Sequence, residues 1–135
     1  MASMNVREIM STRVVTVGLD DKLLHVKELF DHHKFHHLLV IDEEKLCGVV
    51  SDRDLLKAMS PRLGTIAETA KDLATLEKKV HQIMTRKPVV LRENSTVADA
   101  VALFNKHRIS CLPVINGENK PIGIVTWRDL LKAWR

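Results

Sequence analysis

Residues 48–58 read Gly48-Val-Val-Ser51-Asp52-Arg53-Asp54-Leu-Leu-Lys-Ala58, and residues 123–133 repeat them as Gly123-Ile-Val-Thr126-Trp127-Arg128-Asp129-Leu-Leu-Lys-Ala133. Each copy is a β-branched run that reaches a hydroxyl residue and continues with helix-forming residues. The pattern predicts a strand that passes directly into a helix, with a hydroxyl, an arginine and an aspartate at the corner. Unpaired N–H groups and the helix dipole favour an anion at such a position. The sequence therefore predicts two related ligand sites.

The repetition extends along the chain on both sides of these stretches. The spacing between equivalent residues is 74 positions before the closing stretch, from Val6 to Val80, and 75 from Gly48 to Gly123, so the second copy gains one residue in the preceding turn. Nine further residues recur at the spacing of 74. They are Ile9, Met10, Val15, Leu29, Phe30, His33, Leu38, Val40 and Ile41, which return in the same order as Ile83, Met84, Val89, Leu103, Phe104, His107, Leu112, Val114 and Ile115. A duplication explains this order.

Each copy is predicted to follow a β-α-β-β-α plan. In the first copy, Asn5 and Glu8 form a capping pair, and residues 14–17 form a strand. A helix capped by Asp20 or Asp21 follows, then strands at 38–41 and 46–50 and a helix from Arg53 to Met59. In the second copy, the strands cover 89–91, 112–115 and 122–125, and Asn94 or Ser95 caps the first helix.

A segment with helix-breaking residues at Pro61 and Gly64 separates the copies. Thr65 and Glu68 have the spacing of a capping box, so they are predicted to open a connecting helix with Ile66, Ala70 and Leu73 on one face. The predicted domains are repeat 1 at 1–59, the connecting segment at 60–79 and repeat 2 at 80–135.

The composition is that of a globular protein, and because either half alone would bury only a thin core, the two halves are expected to share one. The chain has 135 residues, 45% of them hydrophobic and 28% charged, and a formal net charge of +4. The basic residues are scattered, so they do not predict a nucleic-acid surface. No apolar run approaches the roughly 18 residues of a membrane span, the first residues lack a signal-peptide core, and only two cysteines occur. A cytoplasmic protein is expected.

The duplicated plan, the Ile-Met pairs, Leu-Pro-Val-Ile at 112–115 and the Gly-x-x-[Ser/Thr]-x-x-Asp closings resemble a tandem pair of CBS (cystathionine-β-synthase) domains over nearly the whole chain. The resemblance implies a compact α/β pair with pseudo-twofold symmetry and clefts between its repeats, without catalytic machinery. It also implies an adenosine-containing ligand such as AMP, ADP, ATP or S-adenosylmethionine, and a homodimer. Whether Mg²⁺ accompanies the nucleotide stays open.

In the family, the closing-motif aspartate binds the ribose hydroxyls and the Ser/Thr contacts ribose or phosphate, which here implies Asp54 with Ser51 and Asp129 with Thr126. A carboxylate can accept hydrogen bonds from both hydroxyls of a cis-diol. The alternative is that both pairs are capping boxes, worth roughly 1 kcal/mol each to their helices.

Other positions carry over with less support from the residues alone. Arg53 and Arg128 could hold a phosphate or be solvated, and Asp52 would oppose a phosphate where Trp127 offers an apolar wall. The residues before the Leu-x-Val-Ile strands, which line the cleft in the family, are His36 and His37 in copy one and Ser110 and Cys111 in copy two. Backbone near Val15 and Val89 would meet the adenine edge, and a core role fits these valines too.

Several residues invite other interpretations. His32, His33, His36 and His37 are dense enough for a metal site but lack companion ligands of suitable spacing, so no metal is predicted. Cys47 is expected to pack as an apolar residue, and Cys111 is the more probable reactive thiol of the two. Excess apolar residues on the closing helices are expected to form a homodimer face: Leu55, Leu56, Met59, Leu130, Leu131 and Trp134.

The leading function is therefore a non-enzymatic adenine-nucleotide sensor that reports to an unknown downstream protein. The alternative is a dimeric protein-interaction module without a nucleotide ligand. A small hydrolase or metalloprotein is disfavoured, because the sequence offers neither a nucleophile with base and orienter nor a P-loop.

Overall fold

A computed structural model describes residues 4–133 and confirms the predicted α/β class, with two separate sheets. Three short 3-10 turns cover Val6–Glu8, Thr75–Glu77 and Val80–Gln82. The strands and α-helices are, in chain order, β1 Thr16–Gly18, α1 Leu23–His32, β2 His37–Asp42, β3 Lys45–Ser51, α2 Asp52–Ala58, α3 Ala70–Ala74, β4 Thr85–Arg86, β5 Leu91–Arg92, α4 Val97–Lys106, β6 Cys111–Ile115, β7 Pro121–Thr126 and α5 Trp127–Ala133.

The chain forms two compact units that do not coincide with the two sequence copies. The first-corner unit, residues 15–42 and 47–86, contains the corner Ser51–Asp54. The second-corner unit, described here by residues 4–14, 43–46 and 87–133, contains the corner Thr126–Asp129. Each unit thus includes the leading segment of the other copy, which is residues 4–14 in the first copy and residues 80–86 in the second. The domain boundaries predicted from the repeat stay a prediction.

The first-corner unit is built on the sheet β1-β2-β3-β4. Strand β1 runs parallel to β2, with Val17 opposite Val40. The consecutive residues Leu38, Leu39 and Val40 are at most 1% exposed, as expected for a strand covered on both faces. Helix α1 contributes Leu23 and Val26, which its periodicity places on one fully buried face.

The second-corner unit has the sheet β5-β6-β7. Every residue of β6 is buried, and α4 covers the core with Val97, Ala100 and Phe104. Val6 of the leading segment belongs to the same core and is completely buried. Its capping pair forms as predicted, because Glu8 Oε2 accepts from Asn5 N at 3.0 Å.

A methionine from a leading segment lies against a glycine of each closing strand. A Cβ atom at Gly48 would lie 2.6 Å from Met84 Sδ and 3.0 Å from the Thr85 carbonyl oxygen. The same substitution at Gly123 would collide with Met10. Close approach of the leading segment therefore accounts for both glycines and for the methionine of each repeated Ile-Met pair.

Two helix caps differ from the sequence prediction. Asp21 does not cap α1; its Oδ2 accepts from Gly18 N at 2.7 Å and closes the turn after β1. Helix α4 is capped by Thr96, whose hydroxyl accepts from Asp99 N at 3.1 Å, and not by Asn94 or Ser95. Several adjacent residues have capping side chains, and the chain path decides which one takes the role.

The connecting helix is also shorter than predicted and begins later. Helix α3 is capped by Thr69 with Asp72, whereas Glu68 Oε1 accepts from Gly64 N at 3.0 Å within a turn. Ile66 therefore lies outside the helix and is fully exposed. Gly64 has φ +75°, a conformation that glycine adopts without strain and that favours a turn here.

The first strand of each copy starts two residues later than predicted. Residues 14–15 and 89–90 precede β1 and β5 and are half-buried. In the part of the chain that the structure describes, no helix combines the length and apolar character needed to cross a bilayer.

Each of the closing helices, α2 and α5, has one buried and one exposed leucine. Leu55 and Leu130 are buried in their own cores, so the prediction that these two leucines contribute to a dimer face is wrong. Met59 packs against the first core and is half-buried, and its part in a dimer face stays a prediction. Leu56 and Leu131 are 68% and 71% exposed. Trp134 lies outside the described residues.

Candidate functional site

The first corner is a reciprocal pair of hydrogen bonds between Ser51 and Asp54. Ser51 N donates to Asp54 Oδ2 at 2.8 Å, and Asp54 N donates to Ser51 Oγ at 3.1 Å. Both residues are half-buried. The predicted capping box is therefore confirmed, and it follows from the local spacing of a serine and an acid three residues apart.

The second corner also joins a hydroxyl residue, Thr126, to an aspartate three residues later, Asp129. Asp129 Oδ2 accepts from Thr126 N at 2.8 Å and from Thr126 Oγ1 at 3.2 Å. Within residues 4–133, the hydrogen bonds of both corner carboxylates involve Oδ2. The Oδ1 atoms are therefore the ones that a ligand hydroxyl could use while the caps persist.

The helix amides of the first corner offer less to an anion than the sequence predicts. Asp52 N donates to the carbonyl oxygen of His36 at 3.0 Å, and Asp54 N is taken by Ser51. Helix α2 has only seven residues. Any anion bound at this corner would therefore rely mostly on side chains.

The two histidines before β2 lie at the first corner. His36 Nδ1 is 2.8 Å from Asp52 Oδ2, so His36 pairs with the residue that follows Ser51. The pKa of His37 is lowered chiefly by burial; the Asp52 and Asp54 carboxylates oppose the shift, and His36 adds to it. The structure thus brings His36 into contact with Asp52 and places His37 within electrostatic reach of Asp52 and Asp54.

The equivalent residues of the second copy have no imidazole. Ser110 is exposed, whereas Cys111 is 7% exposed and lies opposite Thr126 in the antiparallel pair β6–β7. The expectation that Cys111 is the more reactive thiol is not supported, because it is the more buried cysteine. Cys47 donates to the Val40 carbonyl oxygen at 3.4 Å, and burial raises the pKa of its thiol.

The residues that follow each hydroxyl differ between the corners. Arg53 and Arg128 are both exposed, as either of their predicted roles requires. Trp127 is 46% exposed and packs on Phe104, with ring centroids 4.9 Å apart. Its indole therefore extends the second core to the surface beside Thr126, whereas the first copy has the charged Asp52 there.

Val15 and Val89 are half-buried and pack against the first and second cores. The Val15 carbonyl oxygen accepts from Leu39 N at 3.0 Å. A core role is therefore established for both valines, while contact with an adenine stays a prediction. Each lies in the unit that contains the corner of its own copy.

Sequence reasoning missed the leading segments as neighbours of the closing strands. Ser11 exchanges two main-chain hydrogen bonds with Ile124, of 2.9 and 3.0 Å, two residues before Thr126. Thr85 lies opposite Val49, two residues before Ser51. A hydroxyl residue thus stands beside each closing strand. The one trace of this arrangement in the sequence is that Ser11 and Thr85, both hydroxyl residues, occupy equivalent positions in the repeat.

A groove of about 420 Å³ adjoins the second corner. One face of α5 lines it with Asp129, Lys132 and Ala133, and the leading segment lines it with Met4, Glu8 and Ile9. Its volume is in the range of small-molecule sites. Asp129 is therefore accessible from a concave surface of this unit.

The four clustered histidines do not form a metal-binding group in the described residues. His33 stacks on Phe35 with ring centroids 5.3 Å apart, and His36 pairs with Asp52. Residues 4–133 bring no three His, Cys, Asp or Glu side chains into an arrangement that could hold a metal ion.

Comparison with known proteins gives a consistent result over both copies. The family model of the CBS domain matches residues 6–61 and 80–135. A CBS domain-containing protein of Dictyostelium discoideum is 34% identical over 128 residues, which cover 93% of this chain and 88% of that protein.

Solved structures extend the comparison to the fold. CBSX2 from Arabidopsis thaliana, solved in complex with AMP, is 30% identical with a TM-score of 0.78, covering 96% of this chain and 95% of that one. The CBS domain pair of protein MJ0100, solved with 5′-methylthioadenosine and S-adenosyl-L-methionine, is 26% identical with a TM-score of 0.78, covering 96% and 98%. With both of its repeats matched, this chain belongs to the CBS domain family.

Proposed function

We propose that the protein is a regulatory module that binds an adenosine-containing compound at one or both corners. The observation that carries this proposal is the repeated geometry of Ser51 with Asp54 and of Thr126 with Asp129, each a hydroxyl and a carboxylate at a strand-to-helix corner. The AMP complex of the relative CBSX2 and the methylthioadenosine and S-adenosylmethionine complex of MJ0100 support the choice of ligand class.

The chemistry of the corner favours adenosyl compounds as a class of ligand without selecting one particular compound. A carboxylate oxygen can accept from the ribose cis-diol, which all adenosyl compounds share. Discrimination among AMP, ADP and ATP would depend on Arg53 and Arg128, whose exposed guanidinium groups can form forks on phosphates. Mg²⁺ would enter as a companion of ADP or ATP phosphates.

The proposed role is to transmit ligand occupancy, without bond-making chemistry. A ligand that binds one conformation of the module better than another shifts the population toward it, and a downstream protein can read that shift. We further propose that the protein acts in the cytoplasm as a homodimer, in which the exposed Leu56 and Leu131 of the closing helices take part.

One observation favours the alternative, a dimeric interaction module without a nucleotide. Asp54 and Asp129 already accept hydrogen bonds from their own helix starts, so a structural role explains their presence. The two functions differ in whether any adenosyl compound stabilises the folded protein.

The test is the melting temperature of the wild-type protein with AMP, ADP, ATP, 5′-methylthioadenosine and S-adenosylmethionine. A ligand at 100 times its dissociation constant adds about 2.7 kcal/mol to the free energy of unfolding. The 2′-deoxy analogue of the best ligand is the matched control, because it lacks one diol hydroxyl, and we expect it to give a smaller shift. Absence of a shift with every compound would establish the interaction module instead.

A further inference from the structure

His36 and His37 place two titratable groups at the first corner. Asp52 N donates to the His36 carbonyl oxygen at 3.0 Å, and His36 Nδ1 lies 2.8 Å from Asp52 Oδ2. These two contacts hold the His36 imidazole next to the start of α2, directly after Ser51. The His36 side chain is 64% exposed, so both protons and ligands can reach it from solvent.

His37, the next residue, is half-buried and interacts electrostatically with Asp52, Asp54 and His36. Burial lowers its pKa, so its neutral form predominates at neutral pH. A negative charge brought to this corner would favour the imidazolium form.

The second corner has the same hydroxyl, arginine and aspartate but lacks these groups. Ser110 and Cys111 stand at the positions of His36 and His37, and Trp127 stands at that of Asp52. The chain therefore contains its own control, a second corner that carries no imidazole at the equivalent positions.

We propose that His36 and His37 make ligand binding at the first corner proton-linked, so that this corner gains affinity for phosphate-bearing adenosyl compounds as the pH falls. The second corner does not share this gain. The inference rests on the proposed function and adds the regulation of one of its two sites.

Thermodynamic linkage gives the sign of the effect. If a phosphate bound at this corner favours the protonated form of the histidines, binding takes up a proton, and the affinity must increase as the pH falls. A protonated His36 also neutralises Asp52, which otherwise repels the phosphate.

Apart from the imidazoles of His32 and His33, which every variant of the test retains, the charged groups around the two histidines keep one charge state over this range. Carboxylates and guanidinium groups keep their charge between about pH 6 and pH 8, and burial keeps the Cys47 thiol of β3 neutral there. Strand β1 carries no titratable side chain. The neighbouring groups are Asp52, Arg53 and Asp54 on α2, His32 and His33 at the end of α1, Lys34 before β2, Lys45 on β3 and Arg86 on β4.

The experiment measures AMP binding by calorimetry at pH 6, 7 and 8 in two single variants. Asp129→Ala leaves the first corner to bind, and Asp54→Ala leaves the second. We expect the affinity of the first corner to rise about threefold to tenfold more than that of the second between pH 8 and pH 6, which corresponds to an average uptake of about a quarter to a half of a proton. The AMP phosphate itself titrates near about pH 6, and this effect cancels in the comparison.

The matched variant grafts the second corner onto the first by adding His36→Ser and His37→Cys to Asp129→Ala. We expect it to lose the additional pH dependence, and His36→Ser alone, at an exposed position, to lose part of it. Equal pH dependence at the two corners, or a grafted variant that keeps the difference, overturns the inference and leaves the proposed function standing. If wild-type protein binds no adenosyl compound at any pH, both are overturned.

Discussion

Asp72 shows how a single buried carboxylate orders a segment of this protein. It is 8% exposed and accepts from Ser60 Oγ at 2.6 Å, from Thr69 N at 2.8 Å and from Thr69 Oγ1 at 3.0 Å. These bonds join the chain after α2 to the start of α3. The hydrogen bond from Ser60, followed by that from the Thr69 amide, lowers the pKa of Asp72, because both favour the charged carboxylate.

We predict that Asp72→Asn lowers the stability of the first-corner unit in a pH-dependent way. A carboxyl group whose folded-state pKa is lowered contributes stability above its unfolded pKa, and this contribution is lost as the pH falls through the folded value. The difference in melting temperature between wild type and variant should be largest at neutral pH and shrink in acid. Asp31→Asn, at an exposed site on α1, is the control. A difference that is constant with pH would contradict this account.

Residue spacing was sufficient to predict the internal hydrogen bonds of both corners, because Ser51 with Asp54 and Thr126 with Asp129 interact within one helical turn. The partners of other site residues could not be predicted in this way. His36 meets Asp52 across 16 positions, and the Trp127 contact with Phe104 joins two helices. Such contacts depend on the path of the chain, which local patterns do not specify.

At the scale of elements, the leading segment of each copy belongs to the unit that contains the corner of the other copy. Residues 4–14 belong to the second-corner unit, where Val6 N donates to the Ser95 carbonyl oxygen at 2.9 Å and Val97 N donates to that of Met4 at 2.8 Å. The second core therefore depends on residues about 90 positions earlier in the chain.

We predict that Val6→Ala destabilises the protein by about 2 kcal/mol, because it removes two methyl groups from a fully buried position and leaves a cavity. Val101→Ala, on the partly exposed side of α4, is the matched control and should change the free energy by less than about 0.5 kcal/mol. Urea denaturation measures both. If the two variants are equally stable, Val6 does not belong to the core in the way described.

The elements themselves were largely predictable, and their pairings were not. Periodic apolar residues gave the helices at 23–32 and 97–106 and the strands around 38–41 and 112–115, because burial on one face selects that pattern. The bridge between Ser11 and Ile124 leaves no local trace. Cap positions were missed where several capping residues adjoin, as before α4.

At the scale of the whole molecule, the proposed self-association would use the surface of the closing helices α2 and α5. Leu56 and Leu131 occupy equivalent positions in the two copies and are 68% and 71% exposed, whereas the leucine before each is buried. Removing apolar surface from water contributes about 25 cal/mol per Å². Repetition of an exposed leucine at the same helical position is consistent with an interface formed by both helices.

We predict that wild-type protein at about 50 μM, a concentration that detects weak interfaces, has the mass of a dimer of 15.3 kDa chains in light scattering. The double variant Leu56→Glu and Leu131→Glu should have the mass of one chain, because it places charges in the interface. Leu24→Glu, at a partly exposed site on α1, should stay dimeric. A monomeric wild type would reject the homodimer.

The most direct test of the central claim counts adenosyl sites by titration calorimetry in three aspartate variants. Asp54→Ala and Asp129→Ala each remove the acid of one corner, and Asp99→Ala removes the acid of the capping box that begins α4 with Thr96 and belongs to neither corner. The loss of capping should cost roughly 1 kcal/mol of stability in each variant. If the corner aspartates hold the ribose, Asp99→Ala binds as many ligands per chain as wild type, and Asp54→Ala and Asp129→Ala each lose the ligand of their own corner. Three variants that bind as wild type does would show that these aspartates only cap their helices.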